Sequence, residues 1–145
     1  MTRLRNSMAA LALLTLASCG GRAAAPPPFL LGDFVDDYGM EYRITAEEWL
    51  HRPDSRLRIV EWNVSGQYLI AQNESANVSD GGLWTRIDWM QFEGMPPYEW
   101  GYCYSVYDAP TADSAGRGTV ADRSTPRTGC NGHPFSRMRR PAESP

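Results

Sequence analysis

Few side chains in this sequence can do covalent or acid–base chemistry. Three cysteines (Cys19, Cys103, Cys130) and two histidines (His51, His133) supply all the thiols and imidazoles of the 145 residues. A catalytic thiolate needs a cationic neighbour to lower its pKa. Cys103 stands between Tyr102 and Tyr104, so a pairing with the distant His133 has nothing local to support it. Neither histidine lies in a His-x3-His or Cys-x2-Cys spacing of the kind that binds zinc. Asp33, Asp36 and Asp37 lack the alternating Asp-x-Asp-x-Asp-Gly pattern of a calcium loop, and read as solvated turn residues. Glu47 and Glu48 are adjacent, so they do not converge on one site. No glycine-rich phosphate loop or Gly-x-Ser-x-Gly elbow occurs. The expectation is a protein that is not an enzyme and takes neither metal nor cofactor.

The aromatic residues are the more suggestive set. All five tryptophans and all seven tyrosines fall between residues 38 and 107. A small β-domain buries aromatic rings to build its core, and a ligand pocket is lined by the same residue types. Within Tyr98–Tyr107 the even positions form a stripe, and Trp100, Tyr102 and Tyr104 are its candidate ligand-binding residues, for a small apolar or aromatic ligand.

The N-terminus carries an address. Arg3 and Arg5 precede the uncharged run Met8–Ala17, whose 10 residues fall short of the about 20 that a spanning helix needs and fit a signal-peptide core. The run ends in Leu16-Ala17-Ser18-Cys19, which resembles the lipobox of bacterial lipoproteins. That resemblance implies cleavage after residue 18, a diacylglyceryl thioether on Cys19 and acylation of the new amine. It makes membrane lipid the first expected partner. Gly20 follows the cysteine in place of Asp, which by the enterobacterial sorting rule implies the outer membrane rather than the inner. Two or more acyl chains hold stably, at about 0.8 kcal/mol per buried CH₂. Residues 19–28, rich in Gly, Ala and Pro, read as a tether, with a reach of roughly 30 Å at about 3.1 Å per residue.

Once Cys19 is assigned to lipid, Cys103 and Cys130 remain as an even pair in an oxidising compartment, and a disulfide is the simplest reading. Its loop of about 27 residues contributes roughly 3 kcal/mol on the chain-entropy account. The mature chain holds 12 arginines, no lysine and 17 acids, a net charge of −5. That balance disfavours nucleic acid as a partner. Asn63, Asn73 and Asn77 head Asn-x-Ser sequons, which the bacterial address makes incidental.

The elements that carry these residues read as strands. Residues 57–64 and 67–72 flank Ser65-Gly66 as a hairpin. Residues 83–92 make a third strand, with Leu83, Ile87 and Trp89 on one face, and 98–107 a fourth after the Gly94-Met95-Pro96-Pro97 break. Phe34-Val35 and Glu41–Thr45 add one or two more, and Ala46–Leu50 reads as a helical turn capped by Thr45. Beyond Asp108 the chain has little to bury, apart from a short helix near 110–116, and reads as an irregular segment fastened by Cys130. The whole predicts a mostly β fold, a small antiparallel meander barrel or sandwich with one or two short helical segments, in one domain over residues 29–145.

Gly32-Asp33-Phe34 resembles the Gly-x-Trp opening of lipocalin-like barrels, with Phe in the Trp position. The resemblance implies that an arginine near the C-terminus, Arg137 or Arg139, packs on that ring, and that Tyr107-Asp108 corresponds to a second motif. Two functions follow as expectations. One is a membrane-anchored envelope lipoprotein binding a small apolar or aromatic ligand. The other is an accessory lipoprotein that contacts an envelope protein through its β-surface and has no ligand pocket.

Overall fold

The computed structural model describes residues 24–142; the predicted signal peptide, Cys19 and the first half of the tether lie outside them. The chain forms β1 (Gly32–Asp36), β2 (Glu41–Ile44), β3 (Glu48–His51), β4 (Ser55–Asn63), β5 (Tyr68–Asn73), β6 (Trp84–Gln91), β7 (Trp100–Ala109), α1 (Ala112–Gly116) and β8 (Ser136–Arg139). Each strand pairs antiparallel with its predecessor, and β8 returns to β1 through Val35↔Arg139 and Asp36↔Met138. The result is a closed eight-stranded meander barrel, the barrel alternative of the sequence reading.

Alternation along the strands sends one row of side chains inward: Phe34, Tyr42, Trp49, Leu69, Ile87, Trp89, Trp100 and Met138 form one core cluster. A bulge between Ile59 and Glu61 lets β4 aim both Ile59 and Trp62 into that core. A 3-10 turn over Pro28–Leu30, opened by proline, inserts Leu30 beneath the barrel and plugs the end at which the N-terminus arrives.

Two expectations change at the element level. The Thr45 cap forms, its hydroxyl accepting from the Glu47 and Glu48 amides at 3.2 and 3.0 Å, but the chain continues into β3 rather than into a helix. A single turn closes too few hydrogen bonds to offset its nucleation, whereas pairing with β2 and β4 buries Trp49. The aromatic stripe is also shorter than residues 98–106. Ile87 pairs with Tyr104 and Arg86 with Val106, so Ser105 is an extra residue in β7. The bulge leaves Tyr104 facing in and turns Val106 outward, against Ile70 and Ala115. Tyr98 precedes the strand, with the Arg137 guanidinium 4.6 Å over its ring.

Residues 110–135 are more ordered than their composition predicts. They run along the outer wall of the barrel as a strap. α1 opens with a capping box at Thr111 and packs on β5–β7 through Ala112 and Ala115. Cys103 and Cys130 are disulfide-bonded, and Phe135 packs beside them with Ala121. Between these contacts Arg123 reaches through the strap to β6. Its Nη2 donates to Asp88 Oδ1 at 2.8 Å and to the Gln67 carbonyl at 2.6 Å. Asp88 is fully buried and also pairs with the buried Arg86 at 2.9 Å.

Candidate functional site

β8 spans only four residues and meets β7 only at Trp100, Gly101 and Tyr102. Above Tyr102 the wall between β7 and the β1–β2 turn is open. A cleft of about 940 Å³ occupies the gap, lined by every residue of β7 from Tyr102 to Asp108. Its far side is formed by Tyr38 and by the turn that follows Cys130.

That turn is a tight hairpin. Cys130 and His133 exchange both backbone hydrogen bonds, at 2.9 and 2.8 Å. Asn131 and Gly132 between them have φ of +52° and +88°. This left-handed pair is what Asn-Gly favours. The disulfide holds the turn against β7, and the Asn131 side-chain amide donates to the Tyr104 carbonyl at 3.2 Å. Asn-Gly between Cys130 and His133 is the signal in the sequence that marks this turn.

The three predicted ligand-binding residues divide. Trp100 is sealed in the core, against Phe34 in a T-shaped contact at 5.2 Å and against Trp49 at 6.1 Å. Tyr102 and Tyr104 are brought together on the cleft, their rings 5.1 Å apart. Tyr102 donates to the Tyr42 hydroxyl at 2.7 Å, because Tyr42 spends its own proton on Asp36 Oδ2 at 2.9 Å. Burial pushes the Tyr102 phenol up to about 12, the Tyr42 phenol higher still, and the Tyr104 phenol well above its ordinary value. All three are neutral hydrogen-bonding groups at physiological pH.

A second, smaller recess of about 270 Å³ opens at the barrel mouth beside Tyr104, between His51, Leu57, Asn73 and Thr85. His51 stacks on Tyr42 at 4.5 Å, and its Nε2 is buried without a hydrogen-bond partner. Burial lowers its pKa, against the pull of Asp36 and Asp54. The folded chain therefore binds fewer protons here than the unfolded chain. The stability contributed is complete above the unfolded value of about 6.5 and is lost as pH falls below it. Urea midpoints should decline from pH 7 to 5, and His51→Gln should flatten part of that decline; identical slopes would exclude His51 as the cause.

At the closed end the arginine over Phe34 is Arg140, not Arg137 or Arg139. Its guanidinium lies 4.2 Å above the ring and donates to the Leu31 carbonyl at 2.9 Å. The reason is strand alternation. Met138 faces in, so Arg137 and Arg139 face out, and Arg140 has the parity that folds it under the barrel. Arg137 instead pairs with Asp37 at 2.9 Å. Tyr107 and Asp108 stand exposed on the cleft rim. Among the described residues no group of His, Cys, Asp and Glu is placed to hold a metal ion, and no helix is long and apolar enough to cross a membrane.

Fold and site together define a class: an eight-stranded antiparallel barrel, compatible with a lipocalin-like fold, plugged at one end and open along one strand at the other. No family model matches the chain, and neither does a curated protein or a solved structure.

Proposed function

We propose that this protein is a lipid-anchored envelope lipoprotein that contacts a protein partner through the open side of its barrel. The observation that carries this reading is the pairing of a filled interior with an open flank. Trp49 and Trp100 occupy the space that a long apolar ligand would need, while Tyr38 and Tyr107, 74% and 53% exposed, stand on the two sides of the β7 cleft. Exposed aromatics around a groove are a usual mark of a contact surface. The anchor rests on the lipobox at Cys19, and the tether enters at the plugged end, which leaves the open flank free.

Cys19→Ser should abolish labelling by a palmitate analogue and move the protein into the soluble fraction; unchanged labelling and sedimentation would refute the anchor. Tyr38→Ser with Tyr107→Ser should lower partner recovery from detergent-solubilised membranes about tenfold. Equal recovery would refute the contact surface.

A second reading is favoured by the unpartnered His51 Nε2 in the mouth recess: a single-ring aromatic ligand seated beside Tyr104. At about 270 Å³ the recess lies just below the roughly 300–1,000 Å³ of common ligand pockets. Titration with phenol, followed by nuclear magnetic resonance of the His51 ring, separates this reading from the first.

A further inference from the structure

The cleft along β7 differs from an ordinary surface groove in what lines it. Seven consecutive residues, Tyr102 to Asp108, border it. Residues that alternate between the two faces of a strand can all border one cleft only along the strand's edge.

The backbone groups available there follow from the pairing. The Trp89 amide donates to the Gln67 carbonyl, so the odd residues of β6 face β5 and the even ones face β7. Asp88 pairs with Cys103. The amide and carbonyl of Tyr102 and Tyr104 therefore point the other way, toward the row that β8 occupies. Ser136 of β8 meets Tyr102, and β8 goes no further. What meets the carbonyls of Tyr104 and Ser105 is the Asn131 side-chain amide, at 3.2 and 3.4 Å. A side chain thus covers part of an edge that a strand could pair with.

We infer that the edge of β7 past Tyr102, as far as Val106, takes an extended segment of the partner protein as an added strand, in line with β8, displacing the Asn131 side chain from the Tyr104 and Ser105 carbonyls. This rests on the partner-binding reading above and specifies its chemistry: recognition by main-chain hydrogen bonds, with the exposed rings of Tyr38 and Tyr107 available to alternate side chains of the incoming segment. Beyond Val106 the Tyr107 carbonyl already accepts from Asn73 Nδ2 at 3.2 Å and from the Thr85 hydroxyl at 3.4 Å, so the edge open to a partner is four residues, roughly 14 Å at about 3.4 Å each, as many residues as β8 itself has. Such an edge is ordinarily shielded by charge, proline or a covering element, and here Asn131 is the only described side chain that donates to the carbonyls of Tyr104 and Ser105.

The test uses the full-length lipidated chain in cells, with p-benzoylphenylalanine placed at Tyr38, Tyr107, Asp108 or His133, all exposed around the cleft, and at Val78 as a control 95% exposed on the β5–β6 loop. The four cleft positions should crosslink one partner at least tenfold more than Val78, all within a single short segment, with Tyr107 and Asp108 attaching to neighbouring residues. In the purified complex the Tyr104 amide should gain at least tenfold protection from hydrogen exchange. Crosslinks scattered over the partner, or no added protection, would overturn strand addition and leave the contact surface standing. Yields no higher than at Val78 would overturn both. Crosslinks to a second copy of this chain would overturn the partner assignment in favour of self-pairing.

Discussion

Asp88→Ala should lower the unfolding free energy by about 3–5 kcal/mol, the range seen when one member of a buried ion pair is removed. Asp88 is fully buried on the outer face of β6, under the strap. Its carboxylate holds Arg86 through both oxygens at 2.9 and 3.1 Å, holds Arg123 at 2.8 Å, and accepts from the Ser105 hydroxyl. The Arg86 side chain is 5% exposed, so without Asp88 its guanidinium is left in a dry site with the Gly116 carbonyl and the Tyr68 ring as its remaining neighbours. Arg43→Ala is the contrast. Its pair with Asp33 is half-exposed and should change stability by less than about 1 kcal/mol. Urea denaturation of the two variants provides the comparison, and equal effects would mean that Asp88 does not fasten the strap.

Trp100→Ala should cost about 3–5 kcal/mol, the range for deleting a large core aromatic. The indole is fully buried and touches Phe34, Trp49 and Tyr102, so its removal leaves a cavity that short, closed strands cannot collapse into. Tyr104→Ala, two inward positions further along, should shift the urea midpoint less, since that residue is half-buried at the cleft. The pair of variants measures where the core ends and the open flank begins. A Trp100→Ala midpoint within experimental error of the parent would mean that the barrel interior is not packed as described.

The barrel was legible in the sequence because its signals are local. Runs of β-forming residues over 57–64, 67–72 and 83–92 correspond to β4, β5 and β6 within two residues at each end, and counting thiols was enough to pair Cys103 with Cys130. What escaped depended on distant partners. Ser136–Arg139 has no strand pattern of its own and becomes β8 because β1 and β7 both need an edge covered there. Alternation alone puts Arg86 and Asp88 on one face of β6, but no local feature joins them to Arg123, 35 positions further on from Asp88. The stripe Trp100-Tyr102-Tyr104 was visible as a pattern. Its division into core and cleft was not, because that is set by the Ser105 bulge and by the length of β8.

The plug at Pro28–Leu30 has a mechanical consequence. The chain enters β1 at the closed end and leaves β8 at the same end, with Arg140 tying the Leu31 carbonyl and the Phe34 ring together. A pull on the chain at Ala24 along the barrel axis therefore loads the β1–β2 and β1–β8 ladders, four and two residue pairs, lengthwise and together instead of unzipping them one by one. A tether attached at this end can carry tension without opening the cleft at the other.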